Sequence, residues 1–171
     1  TLSVGSIGIN ENGETALVTV TLSAISGKTV TTTLAKTGSA TETKDYTLVS
    51  TVTIPEGAAK GEVFLTGVDD ILDEFSETLI IDISTVTNAN EAGGDLGQQK
   101  TVTITDNDPE PTVTLSIGAD SIAENGGSTT LTAIVSAPSG KEVTLTLVVT
   151  GDARIDTDYT LLKTMTIPIG T

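Results

Sequence analysis

The 171-residue sequence contains no cysteine, no histidine and no tryptophan, and aromatic residues make up only 2% of it. Without cysteine the chain forms no disulfide bond and offers no thiolate to a metal, which leaves its cellular compartment open. A serine nucleophile would lack its usual base. Paired carboxylates, which could hydrolyse glycosides, would lack aromatic side chains from which to build a sugar cleft. We therefore expect that the protein is not an enzyme.

Basic residues are also scarce. The chain has 8 Lys and Arg against 23 Asp and Glu, a formal net charge of −15. Because phosphate binding needs basic patches, we expect no nucleic-acid partner and little attraction to anionic membrane surfaces. No apolar run approaches the length of a membrane span, so we also expect no direct membrane insertion. The hydrophobic content of 37% is sufficient for a packed core, and the acidity indicates either a soluble surface protein or a protein that recruits cations.

Thr and Val alternate along much of the chain, a pattern typical of β-strands. It is plain in 16–22 and in 78–83. Turn residues such as Asn12-Gly13 and Ser26-Gly27 separate the alternating segments. The first part of the chain is thus predicted to contain strands over 2–9, 15–23, 29–37, 47–54, 61–68, 77–87 and 99–106. This pattern predicts an all-β fold, an immunoglobulin-like antiparallel β-sandwich of seven strands.

Four short motifs recur at a constant offset of 113 positions, for example from Glu11 to Glu124. The pairs are Glu11-Asn12-Gly13 with Glu124-Asn125-Gly126, Ser26-Gly27-Lys28 with Ser139-Gly140-Lys141, Asp45-Tyr46-Thr47-Leu48 with Asp158-Tyr159-Thr160-Leu161, and Ile54-Pro55 with Ile167-Pro168. A period this long predicts tandem whole domains rather than a solenoid. We expect one sandwich over 1–108, a stiff linker over 109–111, and the N-terminal part of a second, incomplete repeat over 112–171.

Two acidic runs, 69–77 and 106–108, follow predicted strands, and neither contains a basic residue. In a sandwich, the alternating strand directions can bring these runs to the same pole as Glu11 and Asp45. Carboxylates gathered there repel one another unless they are protonated or neutralised by a cation. Acidic loops that only keep a surface soluble are the simpler interpretation of any single residue. The shared arrangement over separate loops instead favours a metal site, and flexible, all-oxygen ligands favour calcium over magnesium.

Taken together and in this order, these elements resemble the Calx-beta domain. They are Glu11-Asn12-Gly13, Asp45-Tyr46, Ile54-Pro55-x-Gly57, the acidic run 69–77 and Thr101-Val102-Thr103-Ile104-Thr105-Asp106-Asn107-Asp108. The resemblance implies a seven-strand immunoglobulin-like sandwich with Ca2+ at one pole. It implies side-chain ligands at Glu11, Asp45, Asp69, Asp70, Glu74, Glu77, Asp106 and Asp108, and a backbone carbonyl ligand at Leu72.

The sequence departs from that family at Asn107, where Asp is frequent. With the lower charge we expect about two or three ions and weaker binding than in the strongest family members. In the second repeat, Glu124 and Asp158 are what remains of the ligand set.

The family occurs in sodium–calcium exchangers, integrins and large bacterial surface proteins. With tandem copies and strong acidity, the resemblance favours a calcium-rigidified structural or adhesive module of a large bacterial cell-surface or secreted protein. We then expect an extracellular or cell-surface location, with neighbouring repeats of the same chain as partners. One alternative is a filament or sheath subunit that assembles homotypically and is completed by strands from a neighbouring chain. A second alternative is a Ca2+ sensor domain.

Overall fold

The computed structural model describes residues 1–93 and 97–171, and their regular secondary structure consists of β-strands. The all-β class predicted from the sequence is confirmed. The chain divides into two units, one made of Thr1–Asp70 with Phe75–Asn107 and the other of Ile71–Glu74 with Asp108–Thr171. Over the described residues, no helix has the length and apolar character that crossing a membrane requires.

The first unit is a two-sheet β-sandwich. Its described residues form β1 (Leu2–Val4), β2 (Gly8–Asn10), β3 (Thr15–Thr21), β4 (Val30–Gly38), β5 (Tyr46–Leu48), β6 (Thr51–Ile54), β7 (Lys60–Gly67), β8 (Glu77–Thr87) and β9 (Lys100–Thr105). One sheet has the order β1-β3-β7-β5, and the other has the order β2-β9-β8-β4-β6. The strands pair antiparallel except β2 and β9, which are parallel. The predicted sandwich is confirmed, but the predicted count of seven strands is not.

The count differs because two predicted strands each divide between the sheets. The segment predicted as 2–9 forms β1, which pairs with β3, and β2, which pairs with β9. The segment predicted as 47–54 forms β5, which pairs with β7, and β6, which pairs with β4. Each division lets one stretch of chain hydrogen-bond to both sheets and closes the side of the sandwich.

Aliphatic side chains fill the space between the two sheets. Val18 and Leu65 from one sheet, and Leu79 and Val102 from the other, are completely buried. Each such burial contributes about 1.5–3 kcal/mol. The Oγ1 of buried Thr32 donates a hydrogen bond of 3.3 Å to the backbone carbonyl of Val52, so the buried hydroxyl has a hydrogen-bond partner. A core without large aromatic side chains, as the composition predicts, therefore holds the two sheets together.

The second unit contains two smaller sheets. Its strands are β10 (Val113–Ile117), β11 (Leu131–Val135), β12 (Val143–Thr146) and β13 (Thr164–Ile167). β10 pairs with β11 and β12 with β13, both antiparallel. At the offset of 113 residues, these pairs correspond to β1–β3 and β4–β6 of the first unit. Their apolar residues are much more exposed, since Leu115 is 48% exposed whereas the corresponding Leu2 is 3% exposed.

The turns of the repeated motifs are alike at both positions. The Thr43 N–H donates to the Tyr46 carbonyl at 2.8 Å, and the Asp156 N–H donates to the Tyr159 carbonyl at 2.7 Å. Thr43 and Asp156 both have positive φ angles, 74° and 65°. The recurrence in the sequence is thus accompanied by the same local backbone conformation.

Candidate metal centre

The parallel pairing of β2 with β9 positions two carboxylates side by side. Asn10, the last residue of β2, is in register with Thr105, the last residue of β9. Glu11 and Asp106 are the next residues on the two chains, and the Glu11 N–H donates to the Thr105 carbonyl at 3.2 Å. Because parallel strands end at the same edge of a sheet, both side chains lie at one pole of the sandwich.

Glu11, Asp106 and Asp108 form a compact acidic cluster. Each residue offers a carboxylate oxygen, and these three oxygens lie within 4.8 Å of one another. Glu11 is only 6% exposed, and its Oε1 is buried without a hydrogen-bond partner among the described residues. A buried carboxylate oxygen in this state is costly unless a proton or a cation compensates it. The donor set is all oxygen, which fits Ca2+ better than a transition metal.

The protonation of Glu11 reflects this setting. The pKa of Glu11 is raised from 4.5 to about 7, and the largest cause is burial. A hydrogen bond with the Asp106 side chain and the negative charges of Asp106 and Asp70 contribute to this rise, while the Asn107 backbone N–H opposes it. In the metal-free protein, a proton on Glu11 thus relieves part of the repulsion, and a cation bound to the cluster would replace that proton.

The end of β7 packs against Glu11. A Cβ atom added to Gly67 would lie 2.3 Å from the Asn10 carbonyl oxygen and 2.8 Å from the Glu11 Cα, so any larger residue there would force the backbone to shift. This close approach brings the start of the first acidic run, Asp69 and Asp70, towards Glu11. Both residues are exposed, and the negative charge of Asp70 is felt at Glu11.

Asp45 is linked to the same strand end through its backbone. Its carbonyl accepts a hydrogen bond of 3.0 Å from the Val68 N–H, directly after β7. Its Oδ2 accepts a hydrogen bond from the Thr41 N–H and so stabilises its own turn. In the second unit, Asp158 makes the same bond with the Arg154 N–H at 2.7 Å. The Asp45 side chain thus has a local structural role in addition to the predicted ligand role.

Glu77 begins β8, where it is in register with Ile104 of β9, two residues before Asp106. Its side chain is half-buried. The antiparallel β8–β9 pair therefore places Glu77 at the edge of the sheet where β9 ends.

Leu72 and Glu74 lie in the four-residue segment that belongs to the second unit. The Glu74 side chain packs against Gly140, where an added Cβ would lie 2.6 Å from Glu74 Oε1. Glu74 thus packs within the second unit, and the close acidic cluster is formed by Glu11, Asp106 and Asp108.

The sequence prediction missed Asp73, which is 5% exposed. Its Oδ1 forms an ion pair of 2.6 Å with Lys141 Nζ, and its backbone carbonyl accepts from the Gly140 N–H at 3.0 Å. Ser139 Oγ lies 3.3 Å from its Oδ2. Within the acidic run, no spacing distinguishes Asp73 from its neighbours. The recurrence of Ser26-Gly27-Lys28 at 139–141 drew attention to this segment, but it did not indicate that the segment contacts Asp73.

Comparison with known proteins identifies the fold class. No family model matches the sequence, and no curated protein sequence matches it. Two crystal structures, of the calcium binding domain CBD12 of CALX1.1 and of CBD12 from CALX1.2, match with TM-scores of 0.51 and 19% identity. Each match covers 61% of this chain and 42% of the other, so this chain spans less than half of those structures. The likeness shows a β-sandwich of the Calx-beta type.

Proposed function

We propose that this chain is a calcium-binding module whose principal site is the Glu11, Asp106 and Asp108 cluster. The observation that carries the proposal is the buried Oε1 of Glu11, which has no hydrogen-bond partner among the described residues and lies beside two further carboxylates. An ion there would satisfy this oxygen and neutralise the charges that raise the pKa of Glu11. The similar structure of CBD12 of CALX1.1, which is described as a calcium binding domain, supports the choice of ion.

The mechanism that we propose is structural. Glu11 follows β2, Asp106 and Asp108 follow β9, and Asp70 lies beyond the end of β7. An ion that binds these carboxylates would tie together strand ends that otherwise repel one another. Binding would then make the pole of the sandwich stiffer and the folded state more stable. Asp45, Asp69 and Glu77 supply further negative charge close to the same strand ends, and we propose them as outer or additional ligands.

We propose that the parent protein is a large bacterial surface or secreted protein in which such modules repeat, with a structural or adhesive role. The high acidity, the absence of cysteine and the motif recurrence at 113 residues support this setting. Extracellular calcium modules commonly bind with dissociation constants of about 10⁻⁴–10⁻³ M, because millimolar calcium surrounds them. A site with three clustered carboxylates is suited to that range.

The test is a calorimetric titration of the 171-residue chain with Ca2+ and, separately, with Mg2+, accompanied by melting curves in Ca2+ and in EDTA. We expect saturable Ca2+ binding, weaker Mg2+ binding and a higher melting temperature in Ca2+. Glu11→Gln should remove most of the thermal effect. The matched control is Glu56→Gln, an exposed residue on the turn before β7, at the opposite end of that strand from Gly67. Equal melting temperatures with Ca2+ and EDTA would contradict the proposal.

A further inference from the structure

The sheet formed by β10 and β11 has an open edge along β11. Among the described residues, β11 pairs with β10 alone. The Gly118 N–H donates to the Thr130 carbonyl at 2.9 Å, so the even-numbered residues of this segment hydrogen-bond towards β10. Because backbone groups alternate in direction along an antiparallel strand, those of Leu131, Ala133 and Val135 face the open side. This edge therefore presents a row of donors and acceptors to an incoming strand.

The first unit shows which strand completes such an edge. There, β3 is the counterpart of β11, and its corresponding edge is covered by β7. Val18, the counterpart of Leu131, is in register with Val63 of β7 and is completely buried. The Gly67 N–H donates to the Glu14 carbonyl at 2.9 Å, which extends the β3–β7 hydrogen-bond ladder beyond the start of β3. A β7-like strand is thus the partner that this strand geometry accepts.

An apolar cleft adjoins the open edge. It has a volume of about 750 Å³, and its lining includes Leu115, Ile117, Leu131, Leu147 and Val149. Ile117 is 53% exposed, which is unusual for the inner face of a sheet. In the first unit, the corresponding space is filled by the inward residues of the strands that follow Ile54. The cleft is therefore the right kind of space for the apolar side chains of one added strand.

We propose that β11 accepts an added antiparallel β-strand with the chemistry of β7: an extended segment of low net charge, with apolar residues at alternating inward positions, like Val63 and Leu65. Backbone hydrogen bonds to β11 would supply affinity, and the cleft would select the side chains. Gly61 adds a size limit, because a Cβ atom there would lie 2.6 Å from the Thr53 carbonyl oxygen. Thr166 of β13 is the counterpart of Thr53, so an incoming strand also needs glycine at this position.

Charge favours such a strand over a second copy of this chain. Each copy carries a net charge of −15, so two copies repel each other as they approach. The β7 segment contains one Lys and one Glu and is therefore electrically neutral. The strand-accepting edge and the acidic cluster share no residue, and the edge is proposed independently of calcium binding.

The experiment uses a fluorescent synthetic peptide with the sequence of residues 59–68 and the full 171-residue chain, in EDTA. We expect saturable one-to-one binding by anisotropy and slower amide hydrogen exchange at Leu131 and Ala133 when the peptide is bound. Ala133→Pro, which removes an open-edge donor without touching the β10 ladder, should abolish binding. Val113→Pro places the same residue on the outer edge of β10 and should leave binding unchanged. A peptide carrying Gly61→Val should bind at least about tenfold more weakly.

Three results would overturn the inference. The first is the absence of saturable binding of the peptide to the unmodified chain. The second is equal affinity of the two peptides, which would show that the strand does not enter beside Thr166. The third is a dimer, seen by sedimentation, that forms at micromolar concentration and persists with excess peptide, because a second copy would then occupy the edge. The peptide comparison keeps the test decisive even if Ala133→Pro fails to fold.

Discussion

Gly67 and Glu11 are in backbone contact: a Cβ atom at Gly67 would lie 2.8 Å from the Glu11 Cα. The contact joins the end of β7, in one sheet, to the residue that follows β2, in the other. Since Glu11 contributes the buried oxygen of the acidic cluster, the position of this oxygen depends on a glycine from a different strand.

Replacing Gly67 with alanine should therefore disturb both stability and metal binding. The methyl group would meet the Asn10 carbonyl oxygen at 2.3 Å, and the adjustment of the backbone should cost about 1–3 kcal/mol of unfolding free energy. It should also weaken Ca2+ binding, since Glu11 must move. Urea unfolding and calcium titration measure the two effects. Gly5→Ala is the control, because its Cβ would meet nothing closer than 3.6 Å and should change neither quantity.

The carboxylates should differ in their effect on calcium affinity. Asp106→Asn and Asp108→Asn remove charge from the compact cluster and should each weaken Ca2+ binding by about tenfold or more. Asp69→Asn, at an exposed residue outside the cluster, should weaken it by less than about threefold. Calorimetry on the three variants gives the ranking. A larger loss for Asp69→Asn than for Asp106→Asn would move the site towards the first acidic run.

Glu11 makes the metal-free protein sensitive to pH. Its pKa is about 7 in the folded chain, against the ordinary value of 4.5 that applies to the unfolded chain. The stability that Glu11 contributes is therefore fully present below pH 4.5 and is lost as the pH rises through 7. In EDTA, the unfolding free energy of the unmodified chain should therefore fall more between pH 5.5 and pH 8 than that of Glu11→Gln. Over the same range Ca2+ affinity should rise, because the ion displaces a proton. If the unfolding free energy of the two proteins changed equally with pH, this role of Glu11 would be contradicted.

The ion pair between Asp73 and Lys141 should be needed for local order in the second unit. Lys141→Met would leave the buried Asp73 without its cation. Because the lysine side chain is 23% exposed, we expect the substitution to lower the free energy of local unfolding by about 2 kcal/mol. This is below the ~3–5 kcal/mol lost when one partner of a fully buried pair is removed. The readout is amide exchange at Gly140, whose N–H bonds to Asp73, and it should become faster. Lys28→Met, at the exposed counterpart, should leave that exchange unchanged.

Alternation predicted the strands that keep to one sheet along their whole length. The predicted segments 15–23 and 77–87 correspond to β3 and β8. The division of 47–54 could not be predicted, because Tyr46, Leu48, Val52 and Ile54 are all buried and share the same parity. The alternation of apolar and polar residues specifies which side of a strand faces the core. In this segment the alternation is unbroken, although the backbone hydrogen bonds change from one sheet to the other.

The first segment did carry a signal of its division. Leu2 and Ile9 are both buried although they have opposite parity, so an irregularity must lie between them. The division of this segment matters for the site, because it makes β2 parallel to β9 and so places Glu11 beside Asp106.

The acidic pole could be predicted as a region but not residue by residue. Glu11, Asp106 and Asp108 were among the predicted ligands and form the close cluster. The run 69–77 offers five acidic residues in nine positions, and its spacing does not indicate which of them face the cluster. That distinction depends on the path of the loop after β7, which takes Asp73 and Glu74 to residues 139–141.

The most direct test of the calcium site is a crystal structure of the chain grown with calcium, with the anomalous signal of the ion recorded. We expect an anomalous peak at the end of β2 and β9, with oxygens of Glu11, Asp106 and Asp108 at about 2.3–2.6 Å from the ion. Crystals grown in about 10 mM calcium, well above the expected ~10⁻⁴–10⁻³ M dissociation constant, that show no peak at these carboxylates would contradict it.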